Sequence, residues 1–222
     1  MKKRRIFILL AATMTAVGAF SQTKIVLDGA DGAADRSYRI NVGPVVGLTY
    51  SSLSEGLKGL DMGTKSSIGF EIGAEANARF GRKTEVSSGG TGLFGVYAAA
   101  KFAKHSVKTD GSDNFGFSFL EIPILFQVYP MSSLAIEAGP TLALSMSSSP
   151  DKMVFNGGST TITSKDLKPN DVRLTIGARY MLDNGMNVGL HYNIGTSDAA
   201  ENFPCKLSGL EISVGWLFNI IK

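Results

Sequence analysis

The chain has 222 residues, with 22 Lys and Arg against 19 Asp and Glu. Four of those bases, Lys2, Lys3, Arg4 and Arg5, stand together before an apolar run. Without them the count is 18 (22 − 4) against 19, which leaves no basic stripe with interleaved aromatics for a nucleic acid. Cys205 is the only cysteine, which excludes an intrachain disulfide, and beyond residue 20 no apolar run nears the roughly 20 residues of a spanning helix, so a membrane could be crossed only by strands.

The basic cluster, the apolar run 6–20 and the small residues Ala19 and Ser21 read as a cleaved signal peptide over 1–21, with Gln22 as the first mature residue. No cysteine lies near the cleavage site, so a lipoprotein is not expected. Residues 22–37 are polar and rich in Gly and Asp, and read as a flexible periplasmic lead. From there, apolar and polar residues alternate in eight segments: 38–50, 67–80, 93–102, 117–129, 134–146, 171–182, 186–194 and 210–218. A period of two means strand. Most segments match the roughly 9–11 residues of a tilted membrane-crossing strand.

The connections alternate in length. Segments 51–66, 103–116, 147–170 and 195–209 are long and rich in Ser, Gly, Asp and Lys, whereas 130–133 and the Asp183-Asn184-Gly185 turn are short. Long loops at one end and tight turns at the other are the pattern of an outer-membrane barrel. The stretch 81–92 fits less well, being about a dozen residues where a tight turn belongs.

In every segment the apolar parity is even. It includes Ile40, Ile72, Phe102, Ile124, Ile136, Ile176, Tyr192 and Trp216, and it contains no Asp, Glu, Lys, Arg or His. Within the segments, away from their end residues, the odd parity holds five acids (Glu71, Glu75, Glu121, Glu137 and Glu211), five bases (Arg39, Arg79, Lys101, Arg173 and Arg179) and His191. A soluble lipocalin-like barrel would turn the same alternation inside out. The signal peptide, the loop asymmetry and the uncharged even face favour lipid outside and an eight-stranded antiparallel up-and-down transmembrane β-barrel over 38–222.

Such a barrel is just wide enough for side chains to fill it. The odd-parity charges are therefore expected to pair as a structural lumen network, with Glu121 and Glu137 meeting Arg173 or Arg179. Odd-parity glycines such as Gly95, Gly177, Gly189 and Gly215 would either make room for Arg, Tyr97 and Tyr129 or ease the curvature of the strands. Pro44, Pro123 and Pro140 fall inside strands, where they are expected to mark bulges or strand ends at which the parity could slip.

Phe119-Leu120-Glu121-Ile122-Pro123-Ile124-Leu125, Ala138-Gly139-Pro140, Ile176-Gly177-Ala178-Arg179-Tyr180 and Val188-Gly189-Leu190-His191-Tyr192-Asn193-Ile194-Gly195 resemble the PorT-like outer-membrane barrel family of Bacteroidetes. The Leu120-Glu121-Ile122-Pro123 element is the most specific of these. The resemblance implies an eight-stranded outer-membrane barrel, labelled porin-like without a demonstrated pore. The family founder's association with gliding and secretion is carried by no residue of this chain. The C-terminus departs from the usual aromatic ending, since Trp216 and Phe218 are followed by Asn219, Ile220, Ile221 and Lys222.

No catalytic residue, cofactor or metal is expected. His191 has no serine in its strand, and His105, beside Ser106, lies at a loop margin; two histidines and one cysteine show no metal-ligand spacing, and no nucleotide fingerprint is present. The expected function is an integral protein of the cell outer membrane with a polar, plugged lumen and a structural or interaction role through long extracellular loops. The alternatives are a narrow porin for small solutes and an outer-membrane hydrolase using His105 or His191. Its expected partners are outer-membrane lipid, the barrel-assembly machinery, and a protein partner at the loops or the lead, with the chain itself a monomer.

Overall fold

The computed structural model describes residues 36–55, 65–82, 93–109, 112–149, 152–155, 160–163, 168–198 and 205–221. The signal peptide and most of the lead lie outside them, as does the greater part of 81–92. The strands are β1 (Arg36–Glu55), β2 (Lys65–Arg82), β3 (Phe94–Thr109), β4 (Ser112–Met131), β5 (Leu134–Ser149), β6 (Lys152–Phe155), β7 (Thr160–Thr163), β8 (Asn170–Met181), β9 (Met186–Gly195), β10 (Cys205–Trp216) and β11 (Phe218–Ile221). β6 and β7 pair only with each other, as a ribbon in the connection from β5 to β8. β11 continues β10 past Leu217, so the remaining strands make an antiparallel sheet of eight. Its two ends meet where β1 pairs with β10, from Val45 opposite Gly215 to Glu55 opposite Cys205. The ring is closed and has no free edge.

The register fixes the barrel's geometry. Followed across the ladders, Tyr50 leads to Leu210, Tyr192, Ile176, Ala138, Phe126, Val96 and Ala78, and returns to β1 at Ile40. The circuit therefore climbs ten residues (50 − 40) over eight strands. With strands about 4.8 Å apart and about 3.3 Å per residue, that stagger tilts the strands by about 40°. Residues at equal height are thus offset from their direct cross-strand partners by a little over one position per strand.

The alternation decides which side meets lipid. Among the described residues, every exposed large hydrophobic one except Met131, at a turn, is even-numbered, from Val46 on β1 to Ile220 on β11. Glu71, Glu75, Lys101, Glu121, Glu137, Arg173, Arg179 and Glu211, all odd-numbered, are buried, so the soluble inside-out arrangement is not the one adopted. Tyr50, Phe70, Phe102 and Tyr192 ring the outer wall at one end; Phe80, Phe94, Tyr180, Trp216 and Phe218 ring it at the other. Phe70 and Phe80 are ten residues apart on β2, which at that tilt is about 25 Å, the height of a lipid-facing band bounded by aromatic girdles.

Two expectations are corrected. Residues 103–116 are not a loop: β3 and β4 continue as a paired hairpin, with Val107 opposite Phe115 and Thr109 opposite Ser112. The prolines do not shift the parity. Pro44 is exposed, Pro123 is buried and Pro140 is exposed, as their numbers require. Each sits where one ladder is locally interrupted: Pro44 lies opposite Trp216, beside the break at Leu217, Pro123 opposite Ala99 in a gap of the β3–β4 ladder, and Pro140 opposite Ile124 in a gap of the β4–β5 ladder. The parity does reverse at Met146, an extra residue between the pairs Phe119–Ser145 and Ser118–Ser147.

The break at Leu217 is held from outside the ladder, because its amide donates to the Gly185 carbonyl at 2.8 Å. Opposite it, a Cβ on Gly43 would collide with the Trp216 carbonyl and the Leu217 Cα. Gly185 closes the β8–β9 turn with φ of +89°. Gly185→Ala is expected to cost about 1–2 kcal/mol, measured by urea unfolding in lipid vesicles followed through Trp216, the chain's only tryptophan. An unchanged midpoint would show that the turn does not constrain the barrel.

Candidate functional site

The odd face of eight strands converges on a narrow interior, and side chains fill it from end to end. At the turn end, the Arg79 guanidinium lies 3.8 Å from the Tyr129 ring centroid and donates to the Ser132 carbonyl at 2.7 Å. Gln127 Oε1 accepts from Asn77 Nδ2 at 2.6 Å and from the Tyr129 hydroxyl at 2.8 Å. Its Nε2 donates to Glu137 Oε1 at 2.6 Å, leading into the next layer.

That layer is built around Arg179, which is 0% exposed. Its Nε donates to Glu137 at 2.9 Å, and its Nη1 donates to Glu75 at 3.1 Å and to Asn187 Oδ1 at 2.5 Å; its plane lies 3.9 Å from the Tyr97 centroid. Glu75 also accepts from Asn187 at 2.6 Å and from Tyr97 at 3.1 Å. A fork of five N–H donors on a planar cation suits such a ring of acceptors better than an ammonium would.

Above it, Lys101 Nζ donates to Glu211 at 2.6 Å and to Glu71 at 2.9 Å. His191 lies 2.5 Å from Glu137 and 3.6 Å from Glu211, linking this layer to the one below. Glu71, Glu121 and Glu211 offer oxygens within 4.8 Å of one another. The cation among them is the Lys101 ammonium, which satisfies two of the three.

The uppermost polar layer joins Arg173 to Glu121 at 2.5 Å and to Asp171 at 2.6 Å, with the Phe119 ring 4.7 Å from its guanidinium. His105 stands between Ser51 Oγ and Glu121 Oε1, 2.7 Å from each. Beyond it, Leu53, Val107, Phe117, Phe119 and Leu207 are buried as an apolar lid.

The glycines accommodate these groups. A Cβ on Gly177 or Gly189 would strike the His191 ring, one on Gly95 would crowd Gln127 and Tyr129, and one on Gly215 would strike Glu75 and Asn187. The space they leave goes to Glu75, Asn187, Gln127, His191 and Tyr129, and no arginine atom is among their nearest neighbours, which corrects that part of the expectation.

Of the residues expected inside, Glu71, Glu75, Arg79, Lys101, Glu121, Glu137, Arg173, Arg179, His191 and Glu211 are buried. Arg39 is the correction: it has inward parity but is exposed, because β1 there has passed below the layer of Arg79, opposite which it lies. Asp171, His105, Ser51, Asn77, Gln127, Asn187 and Asn193 belong to the interior and were not anticipated. All are odd-numbered: Asn77, Gln127, Asp171, Asn187 and Asn193 lie inside the segments read as strands, and the same parity extended past the strand ends reaches Ser51 and His105. Among the described residues, with Asp171 included, six buried acids face four buried bases, Arg79, Lys101, Arg173 and Arg179; the difference of two (6 − 4) equals the two buried histidines, each in hydrogen-bond reach of a carboxylate.

Ser51, His105 and Glu121 together hold a nucleophile, a base and a carboxylate. Ser51 is 0% exposed and Arg173 Nη1 lies 3.2 Å from His105 Nε2, so the hydroxyl faces no substrate-accessible space and the imidazole already has a cationic neighbour.

A closed eight-stranded barrel with an uncharged apolar wall about 25 Å tall and a charged, filled interior defines an integral β-barrel membrane protein. The chain belongs to the outer membrane protein β-barrel domain family, whose model matches residues 20–201, and its place is the cell outer membrane. No curated protein matches it. Solved structures similar to it include Ail, the attachment invasion locus protein of Yersinia pestis (14% identity, 80% of this chain and 98% of that one, TM-score 0.45). Neisserial surface protein A (12%, 85% and 100%, 0.46) and OprG from Pseudomonas aeruginosa (15%, 82% and 94%, 0.43) are others.

Proposed function

We propose that this protein is a non-conducting outer-membrane barrel whose role is structural or interactive, exercised by the long connections at the hairpin end. The observation that carries this reading is the continuity of burial: from Tyr129 through Arg179, Lys101 and Arg173 to the Phe117 and Leu207 lid, side chains along the axis are at most a few per cent exposed. A solute path would need water where these groups pair with one another. The turn end faces the periplasm and the hairpin end the exterior, following the general asymmetry of such barrels. Within the family we place the chain with the PorT-like barrels on its Leu120-Glu121-Ile122-Pro123 element, which carries Glu121 into the upper layer. Its partners are lipid, the assembly machinery during biogenesis and a protein met at the loops or the N-terminal lead, with the barrel itself monomeric. It is not an enzyme on this reading, since the Ser51 hydroxyl is enclosed.

Purified protein in a planar bilayer is expected to give no stable single-channel steps at moderate voltage. Reproducible steps that persist in the wild-type protein would overturn the plugged reading in favour of a narrow porin.

A further inference from the structure

The ring is closed, yet one strand is loosely held at its middle. Pro123 on β4 falls in a gap of the β3–β4 ladder between the pairs Ala98–Ile124 and Lys101–Glu121, which puts it opposite Ala99. Pro140 on β5 falls in a gap of the β4–β5 ladder between Pro123–Thr141 and Phe126–Ala138, which puts it opposite Ile124. A proline has no N–H to give, so each gap lacks a ladder bond, and a closed barrel has no free edge on which that loss would be harmless. β4 is thus weakened on both sides at consecutive residues. The Leu120-Glu121-Ile122-Pro123 and Ala138-Gly139-Pro140 segments, separate in the sequence, meet here.

Among the described residues, no other strand is interrupted on both sides within the lipid band. β3 keeps its ladder with β2 from Phe70–Lys104 to Phe80–Phe94, and β5 keeps its ladder with β8 from Leu134–Tyr180 to Leu144–Asn170. Pro44 interrupts β1 toward β10 alone, its pairing with β2 being continuous from Arg36 to Ser51, and the Leu217 amide at that break is taken up by the Gly185 carbonyl. Allowing for the climb of ten residues per circuit, Pro123 and Pro140 stand at one height, about three residues below the level of Tyr50. Both gaps therefore lie in hydrocarbon, where backbone groups find no water.

The surroundings of the gaps decide what opening them would cost. On the outside are Ile124 and Phe126, both exposed to lipid. Directly inside are Tyr97, Ala99 and Leu125, a buried apolar cluster. Lys101 and Glu121 stand two residues beyond Ala99 and Pro123. Loosening the middle of β4 brings apolar groups to lipid, whereas the same movement at Arg173, Arg179 or Glu211 would carry an ion into hydrocarbon.

We propose that residues 122–125 of β4 are a window built into the wall, which loosens from β3 and β5 and opens onto the acyl chains of the bilayer while the rest of the ring stays closed. The test is amide hydrogen exchange, read by NMR on the full chain in lipid nanodiscs. The amides of Ala99, Ile124 and Leu125 are compared with those of Ile176 on β8 and Leu190 on β9, which lie at similar depth. The window amides are expected to be at least about ten-fold less protected, since each missing bond is worth about a factor of two to ten. Equal protection in the two sets would overturn the window.

Pro123→Val/Pro140→Val returns an N–H to each gap and is expected to bring the window amides to the protection of Ile176 and Leu190, which themselves stay unchanged. Low protection that persists in this variant would overturn the origin in the prolines. Should it fail to fold, Ala98→Cys/Ile124→Cys in a Cys205→Ser background serves instead, since the two positions are directly opposite each other. Their disulfide is expected to slow exchange at the window about ten-fold, reversibly on reduction; exchange indifferent to it would overturn the proposal. The side to which the window opens is read from NOEs between lipid acyl methylenes and protein methyls. Contacts at Leu125 and Ala99, without contacts at the inward-facing Val45 and Ala135, support the bilayer, and their absence at Leu125 and Ala99 overturns it.

Discussion

Arg179→Ala is expected to lower the unfolding free energy of the barrel by about 3–5 kcal/mol, the cost of removing one partner from a buried charge cluster. Arg179 is the sole basic side chain bonded to both Glu137 and Glu75 among the described residues, and Tyr97 and Asn187 complete its surroundings. Its removal leaves two carboxylates short of a cation in a layer that water does not reach. The measurement is a urea titration in lipid vesicles followed by Trp216 fluorescence, and a loss below about 1 kcal/mol would mean the layer contributes far less than its geometry implies. The double change Glu137→Gln/Arg179→Met is expected to recover part of the loss, because removing both members of a buried pair costs less than orphaning one.

Ile176→Arg is expected to cost about 2–4 kcal/mol, with Val172→Arg on the same strand costing about 0–1. Both side chains face outward and are similarly exposed, at 43% and 44%. They differ in depth: Ile176 lies between the girdles, four residues below the height of Tyr50, and Val172 lies at that height. A guanidinium at position 172 can reach headgroups and water, whereas one at 176 is held in hydrocarbon. Equal effects at the two positions, in the same vesicle assay, would contradict a lipid band placed between the girdles.

The alternation of apolar and polar residues reveals the fold because lipid imposes it on every strand. It fails where that constraint ends. Residues 103–116 read as a loop, since a hairpin standing clear of the bilayer can be Ser-, Lys- and Asp-rich on its outer side, yet Ala103, His105 and Val107 inside it still carry the odd parity. Arg39 shows the converse error: parity fixes the face of a residue and says nothing of its height, so a residue past the end of the filled interior is assigned to the lumen. Asp171 and His105 were missed because they lie at or beyond the predicted strand ends. The pairing of particular charges depends on the stagger of ten residues, which follows from the lengths of turns and bulges such as Met146. Local sequence does not display that quantity.

The contacts that fill the interior also join the two ends of the chain. Lys101 and Glu211 are 110 residues apart, Asn187 and Glu75 112, and Arg179 and Glu75 104. They span β3 to β10, β2 to β9 and β2 to β8, so most of the hairpins must be in place before such bonds can form. A half-wound sheet would hold six carboxylates and four cations with their eventual partners still distant, and lipid entering the gap would meet charges that cost several kcal/mol each in hydrocarbon. Zipping β1 to β10 and neutralising the interior are therefore one cooperative step. Until that seam closes, the nascent barrel has to be kept wet on its concave side.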